Sequence, residues 1–343
     1  VLPGESFQAG SLPRSMPMEA GVYSSAILRF LDAMEAKHEL HSFMLLLRGR
    51  VIAEGWWAPY GPTLNHTMYS MSKSFTSTAV GFAVSEGRLT VNDKVISFFP
   101  HELPPKVSDN LAAMRVQDLL TMSAGHEKDP TGEVVKADDW VGAFLAKPVE
   151  RAPGSLFVYN SVATYMCSAI VQKLTGQRIV DYLKPRLFAP LGIEGMTWET
   201  CPRGINTGGW GLNIRTEGLA KFGELLRLKG NWRGKQIIPA KWIDEATSFH
   251  IQQPVAPKPP RPKEEDDWKQ GYGYQFWRCR HGAFRGDGAS GRDHFPRSSG
   301  LDFSPALSPP APPSPQRTER RQDRCSGPSA ARRRRSRRAG RTV

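Results

Sequence analysis

In YSMSKSFTSTAVGF, residues 69–82, Ser70 and Lys73 stand three apart where an amphipathic helix is expected to begin. One helical turn separates them, so both side chains face the same way. A helix N-terminus also stabilises negative charge developing near it. An ordinary serine hydroxyl is a poor nucleophile near neutral pH and needs a base. A lysine desolvated in a cleft can be neutral enough to serve, or can orient another base. The chemistry offered is acyl transfer of the S-x-x-K kind. By itself the spacing also fits a serine near a helix start beside a solvated lysine.

Other hydrolytic chemistries are poorly supplied. The nucleophile elbow G-x-S-x-G is missing: TMSAG carries Thr121 where the first glycine belongs, and DGASG has the wrong spacing. HELH at His38 to His41 is not H-E-x-x-H and reads as solvated histidines at a helix end. Neither a metal nor a cofactor is expected. Cys167, Cys201, Cys279 and Cys325 are widely spaced without C-x-x-C, which reads as free thiols in a reducing compartment.

Positioning the Ser70–Lys73 pair requires a frame. Apolar residues recur at helical spacing from Ser25 to Lys37, and HSFMLLLRGRVIAEGWW then predicts two strands around a turn at Arg48-Gly49-Arg50. The helix after Ser70 is expected to end near Gly87. Short helices and loops follow, punctuated by Pro and Gly through HELPPKVSDN and LLTMSAGHEKDPTGE. SVATYMCSAIVQKLTG predicts a second buried helix closed by Gly176. Beyond it, EGLAKFGELLRLKG predicts a helix ending at Gly230, PAKWIDEAT another, and GYGYQFWRCR an aromatic-rich strand. Strands at both ends with helices between predict an α+β fold: an antiparallel sheet assembled from the two ends, flanked by helices, with an inserted helical lobe and a cleft where they meet. The domain is expected to span residues 1–295, with a sheet lobe at about 20–65 and 200–295 and a helical lobe at about 66–199. Trp56, Trp57, Trp210, Trp268 and Trp277 are candidates either for the cleft wall or for the core.

From HTMYSMSKSFTSTAVGFAVSEGRLTVNDKVISFFP onward the chain resembles the serine beta-lactamase and penicillin-binding-protein superfamily, specifically its class C-like branch with related esterases and amide hydrolases. VQDLLTMSAGH, PGSLFVYNSVATYMCSAIVQKLTGQ, LFAPLGIEGMTW, NTGGWGLNIRTEGLAKFGELL, GKQIIPAKWIDEAT and GYGYQFW carry the resemblance on, in the family's order, from about residue 20 to 295. It implies a beta-lactamase/transpeptidase-like fold, with Ser70 as nucleophile and Lys73 moving its proton. The family's second element, Tyr-x-Asn, is matched by FVYNS, which implies Tyr159 as proton shuttle and puts Ser161 in the third position. A phenol suits that role if neighbouring cations lower its pKa. Ser161 in place of an amide leaves a smaller donor and acceptor toward substrate. The third element, Lys-Thr-Gly, aligns with Gly286-Asp287-Gly288, making Ala289 the oxyanion donor beside the N–H of Ser70, with Gly288 letting the strand approach. No lysine stands there, and His281 and Arg285 are nearby cations that could compensate. His281 also reads as a partly exposed strand residue.

The implied reaction is acyl-enzyme hydrolysis of a small-molecule amide or ester: a beta-lactam, a D-amino-acid peptide, a short ester or a small amide oligomer. The two departures move the weight from lactams toward esters and small amides. The alternative is a catalytically inactive family member or a truncated relic.

The net charge of +13 invites a nucleic-acid reading, but twelve arginines less three acids put +9 of it in residues 296–343 and leave +4 for the rest. That Pro-, Ser- and Arg-rich stretch cannot bury enough surface to fold and is expected to be disordered. It reads either as a basic tail that binds polyanions or, preferred, as out-of-frame translation, since the sheet strand due after HGAFRGDGASGRDHF breaks off. Arg332 to Arg338 would attract nucleic acid only non-specifically. No apolar stretch approaches the roughly 20 residues of a membrane span. The opening VLPGESFQAG lacks the basic and apolar regions of a secretory leader, and with the lone cysteines the expected compartment is cytoplasmic.

Overall fold

In the computed structural model, which describes residues 10–254 and 262–288, the apolar run SFMLLL is buried on both faces. It forms β1 (Ser42–Leu47), paired antiparallel with β2 (Arg50–Trp56). Arg48 and Gly49 between them have φ of 51° and 77°, the two positive values a type I′ hairpin needs. Leu45, Leu47 and Ile52 pack on Ile27 and Leu31, four apart on α1 (Ser24–Glu35), while Leu46 and Val51 enter the main core. A strand covered on both sides loses the polar alternation of a half-exposed one.

β3 (His66–Thr67) runs through a 3-10 turn, Tyr69–Met71, into α2 (Ser72–Ser85). Contrary to the expected amphipathic helix, α2 is buried on every face from Ser72 to Ala83. Its hydroxyls make this possible by finding carbonyls: Thr76 donates to Gly208 O at 2.9 Å, Ser74 to Gln275 O at 3.0 Å and Thr78 to Ser74 O at 2.9 Å. The described elements that follow are all helices up to Phe188. α3 (Asp109–Ala113), α4 (Val116–Leu120), α5 (Thr131–Val134) and α6 (Trp140–Leu145) lead to α7 (Ser161–Thr175) and α8 (Ile179–Leu183). α7 packs along α2 and buries Val162 to Val171. Phe75 of α2 stacks on Phe222 at 4.0 Å in the same core, and truncating such a ring to alanine costs about 3–5 kcal/mol.

The remaining strands are short. β4 (Thr197–Trp198) and β3 flank β5 (Leu212–Ile214). β6 (Asn231–Trp232) pairs with β7 (Lys235–Gln236), and β8 (Trp277–Arg278) with β9 (Phe284–Arg285). The fold is α+β, and among the described residues its strands form four separate antiparallel sheets rather than one sheet joining the two ends. The strand due after Phe295 lies outside the described residues.

Two expected elements are shorter than their patterns. α9 (Thr216–Arg227) stops before Gly230 because Lys229 and Gly230 turn to φ of 52° and 81°. In GYGYQFWRCR only Trp277 and Arg278 form a strand. Gln275, at φ 67°, instead donates its backbone N–H to Leu120 O and its side-chain amide to Leu119 O and Leu120 O, capping the end of α4. α10 (Ala240–Ala246) falls on PAKWIDEAT as expected. Among the described residues no helix is long and apolar enough to cross a membrane.

Candidate active site

Ser70 sits in the 3-10 turn, directly after Tyr69 at φ 44°, and Lys73 is the second residue of α2. The turn leaves Ser70 partly exposed while Lys73 is only 2% exposed. Lys73 Nζ lies 3.0 Å from Ser70 Oγ, 3.0 Å from Ser161 Oγ and 2.6 Å from Gly209 O. Burial lowers the Lys73 ammonium to about 7, with the Asp129 carboxylate pulling the other way. Near neutral pH this amine is therefore part neutral.

The three partners also orient it. A carbonyl can only accept, so one N–H goes to Gly209, and Ser161 can take a second. A neutral amine has two N–H bonds and one lone pair, so these two partners leave the lone pair facing Ser70 Oγ. That is the arrangement of a base poised on its nucleophile.

Gly209 is brought there by a loop tied to both helices. Ser168 of α7 donates to Asn206 O at 2.7 Å and Thr76 of α2 holds Gly208 O. A Cβ on Gly209 would stand 2.5 Å from Ser161 O, so only glycine lets the loop press on the start of α7.

The FVYNS segment supplies that start. Asn160 is the N-cap of α7, its side chain accepting from Ala163 N at 3.0 Å, and Ser161 is the first helical residue. This places Ser161 on the Lys73 amine. Tyr159, one residue before the cap, is half-buried and has Lys73 Nζ 4.9 Å from its ring centroid. Its phenol is not lowered by cations as the sequence argument required. Burial pushes it well above the ordinary range, the Ser70 side chain pulls back, and the Asp287 and Asp129 carboxylates push the same way as burial. Lys73, not Tyr159, is the group that titrates near neutrality.

The strand side is built from β8 and β9. Gly286 closes on the nucleophile turn: a Cβ there would meet Met71 Sδ at 2.3 Å and Ser74 Oγ at 2.9 Å. Gly288 is buried, and Ala289 lies outside the described residues. The two candidate cations do not face the cleft alike. His281 is exposed in a 3-10 turn at φ 58°, not in a strand. Arg285 is 2% exposed, its guanidinium stacked 4.2 Å from the Trp268 ring centroid and ion-paired to Asp287 at 3.4 Å. Of the five candidate tryptophans, Trp277 is the one stacked on Tyr159, at 5.8 Å and 17°.

Sequence reasoning missed the Gly209 carbonyl and the Asn160 cap. The cap had a signal, an Asn directly before a long apolar-periodic run. The carbonyl had none, since any residue carries one. Among the described residues Cys167 and Cys201 are free, buried thiols.

The family model described as Beta-lactamase matches residues 36–294. The 6-aminohexanoate-dimer hydrolase of Paenarthrobacter ureafaciens is 27% identical over 247 residues, covering 66% of this chain and 63% of that protein. The chain thus spans under two thirds of that relative's length. Among solved structures, a penicillin-binding protein homolog from Caulobacter crescentus superposes with a TM-score of 0.63 at 18% identity, covering 80% of this chain and 88% of that one. A family VIII carboxylesterase gives a TM-score of 0.62 at 16% identity, covering 87% and 95%. At these identities the structural likenesses show the fold.

Proposed function

The chain belongs to the beta-lactamase family, and on that premise we propose that it is a serine hydrolase acting through an acyl-enzyme on a small amide or ester. The observation that carries this reading is the buried Lys73 amine, lowered to about 7 and 3.0 Å from a partly exposed Ser70 Oγ. In acylation the Lys73 lone pair takes the Ser70 proton as the Oγ–C bond forms. The Tyr159 phenol, which stays protonated at neutral pH, donates a proton to the departing nitrogen or oxygen as the C–N or C–O bond breaks. The phenol is then reprotonated by the neighbouring Lys73 ammonium through the entering water, which leaves Lys73 neutral for deacylation. Water then repeats the sequence on the acyl carbon, and Ser70 recovers its proton. The oxyanion is assigned to the N–H groups of Ser70 and Ala289, with Gly288 keeping the chain close.

Small amides and esters are favoured over lactams and D-amino-acid peptides bearing a carboxylate. The family's lysine is replaced by Gly286, and the adjacent buried cation, Arg285, is engaged by Asp287 and two tryptophans. The 27% identity to a hydrolase named for the 6-aminohexanoate dimer supports the small-amide side of this range. The free thiols of Cys167 and Cys201 support a reducing, cytoplasmic setting. No specific nucleic-acid partner is proposed.

The test is peptide mapping after exposure to a serine-reactive fluorophosphonate, with short-ester turnover measured in parallel. An adduct confined to the Ser70 peptide, lost together with turnover in Ser70→Ala, is the expected result. Turnover unchanged in Ser70→Ala would sink the mechanism.

A further inference from the structure

The family's strand cation is expected to face substrate, yet Arg285 of β9 is buried among protein partners. Arg285 donates from Nη1 to Cys279 Sγ at 3.2 Å and from Nε to Asp287 Oδ2 at 3.4 Å. Its guanidinium carbon lies 4.2 Å from the Trp268 ring centroid and 5.6 Å from that of Trp277. These two rings meet edge to face at 4.9 Å, and Trp277 stacks on Tyr159 at 5.8 Å. Trp277 also meets Tyr272 edge to face at 4.8 Å, which fixes its tilt. The contacts therefore run from Asp287 and Cys279 through Arg285 and the two tryptophans to Tyr159, whose ring lies 4.9 Å from Lys73 Nζ.

We infer that Arg285 is a positioning residue, clamping Trp277 so that the Tyr159 phenol is held over Ser70 and Lys73. The reasons are geometric and chemical. β8 and β9 are two residues each, so their ladder hydrogen bonds alone fix Trp277 weakly. A planar guanidinium can lie flat on a ring while its edge N–H groups bond elsewhere, which a lysine ammonium cannot do. Arg285 also sits on Asp287, a carboxylate that acts on Tyr159 and Tyr272 and would otherwise oppose any negative charge on the phenol. The role rests on Tyr159 being the proton shuttle of the serine-hydrolase reading.

The experiment compares Arg285→Met and Arg285→Lys with the wild type in the full-length chain, reading kcat and KM for a short ester alongside near-ultraviolet circular dichroism. A misplaced proton-transfer group costs rate rather than binding, so Arg285→Met should lower kcat by about tenfold to a hundredfold with KM within about twofold. Arg285→Lys, which keeps the charge without the flat face, should recover only part of that loss. Both should lose the near-ultraviolet signal of the stacked Tyr159–Trp277 pair. Retention of both kcat and that signal in Arg285→Met would overturn the clamp. A wild type with no Ser70-dependent turnover would sink the hydrolase reading instead, and the dichroism alone would then decide whether Arg285 holds the stack. If Arg285→Met does not fold, half-buried Trp268 replaces it: Trp268→Leu should lose kcat and signal and Trp268→Phe less of either, while equal, wild-type-like behaviour of the two overturns the inference.

Discussion

The two walls of the Ser70 cleft are made differently. On the helix side, Lys73 is buried within α2, fixed by Ser70, by the first residue of α7 and by one backbone carbonyl. On the strand side, Tyr159 leans on Trp277, a residue of a two-residue strand steadied by Trp268, Tyr272 and Arg285. The base thus depends on hydrogen bonds inside a continuous core, and the phenol on ring contacts at the edge of the described chain. Removing the helix-side amine or displacing its carbonyl should therefore cost chemistry or stability most, whereas strand-side changes should erode rate.

The largest effect belongs to Lys73→Met, which removes the base while filling its volume. Turnover should fall by about a thousandfold or more. In the wild type, the ammonium cannot accept a proton, so kcat/KM should rise with pH and flatten above about 7, the value to which burial lowers Lys73. The stability sign follows from the same shift. Between about 7 and the ordinary lysine value of 10.5 the unfolded chain holds a proton that the folded chain has released, so stability should increase with pH across that window. Thermal melts of Lys73→Met that kept this slope would show that Lys73 is not its source.

Gly209→Ala comes next. Its Cβ would stand 2.5 Å from Ser161 O, a backbone atom that cannot swing aside, so the loop must retreat and take the Gly209 carbonyl from Lys73. A melt should report about 1–3 kcal/mol of lost stability, and the pH midpoint of kcat/KM should move as the amine loses a fixed acceptor. An unmoved midpoint would mean that the carbonyl does not orient the base.

Gly286→Ala probes the strand side with a similar intrusion. Here the obstacle is Met71 Sδ at 2.3 Å, a flexible side chain, with Ser74 Oγ at 2.9 Å. The melt should change by under about 1 kcal/mol while kcat falls by about tenfold, because the strand shifts against the nucleophile turn. Equal stability losses in Gly209→Ala and Gly286→Ala would erase the distinction between the walls. Smallest is Ser161→Ala: one hydrogen bond to Lys73 is lost, worth about 0.5–1.5 kcal/mol, so kcat should drop by roughly threefold to tenfold with the fold intact.

The sequence carried the Ser70–Lys73 pair because three-residue spacing at a helix start is a local property. It carried α7 and the Tyr159–Ser161 segment because a capped, apolar-periodic run is equally local. The fully buried character of α2 was not legible: its Ser and Thr hydroxyls look like a polar face until Gly208 and Gln275 offer carbonyls to them. GYGYQFWRCR read as a strand by composition, yet Gln275 found stronger partners at the end of α4 than a ladder would give.

What the sequence determined by itself was the α+β composition, the order of the elements and the adjacency of Ser70 to the Lys73 amine, since helix periodicity, caps and turns act over a few residues. Only the tertiary structure decided which group titrates near neutrality and so is proposed as the base. Desolvation of Lys73 and of Tyr159 depends on what packs around them, and it moved one pKa down into the neutral range and the other up out of it. It also decided that Arg285 is engaged by Asp287 and two tryptophans, because the tryptophans lie on segments that meet it only once the chain has folded.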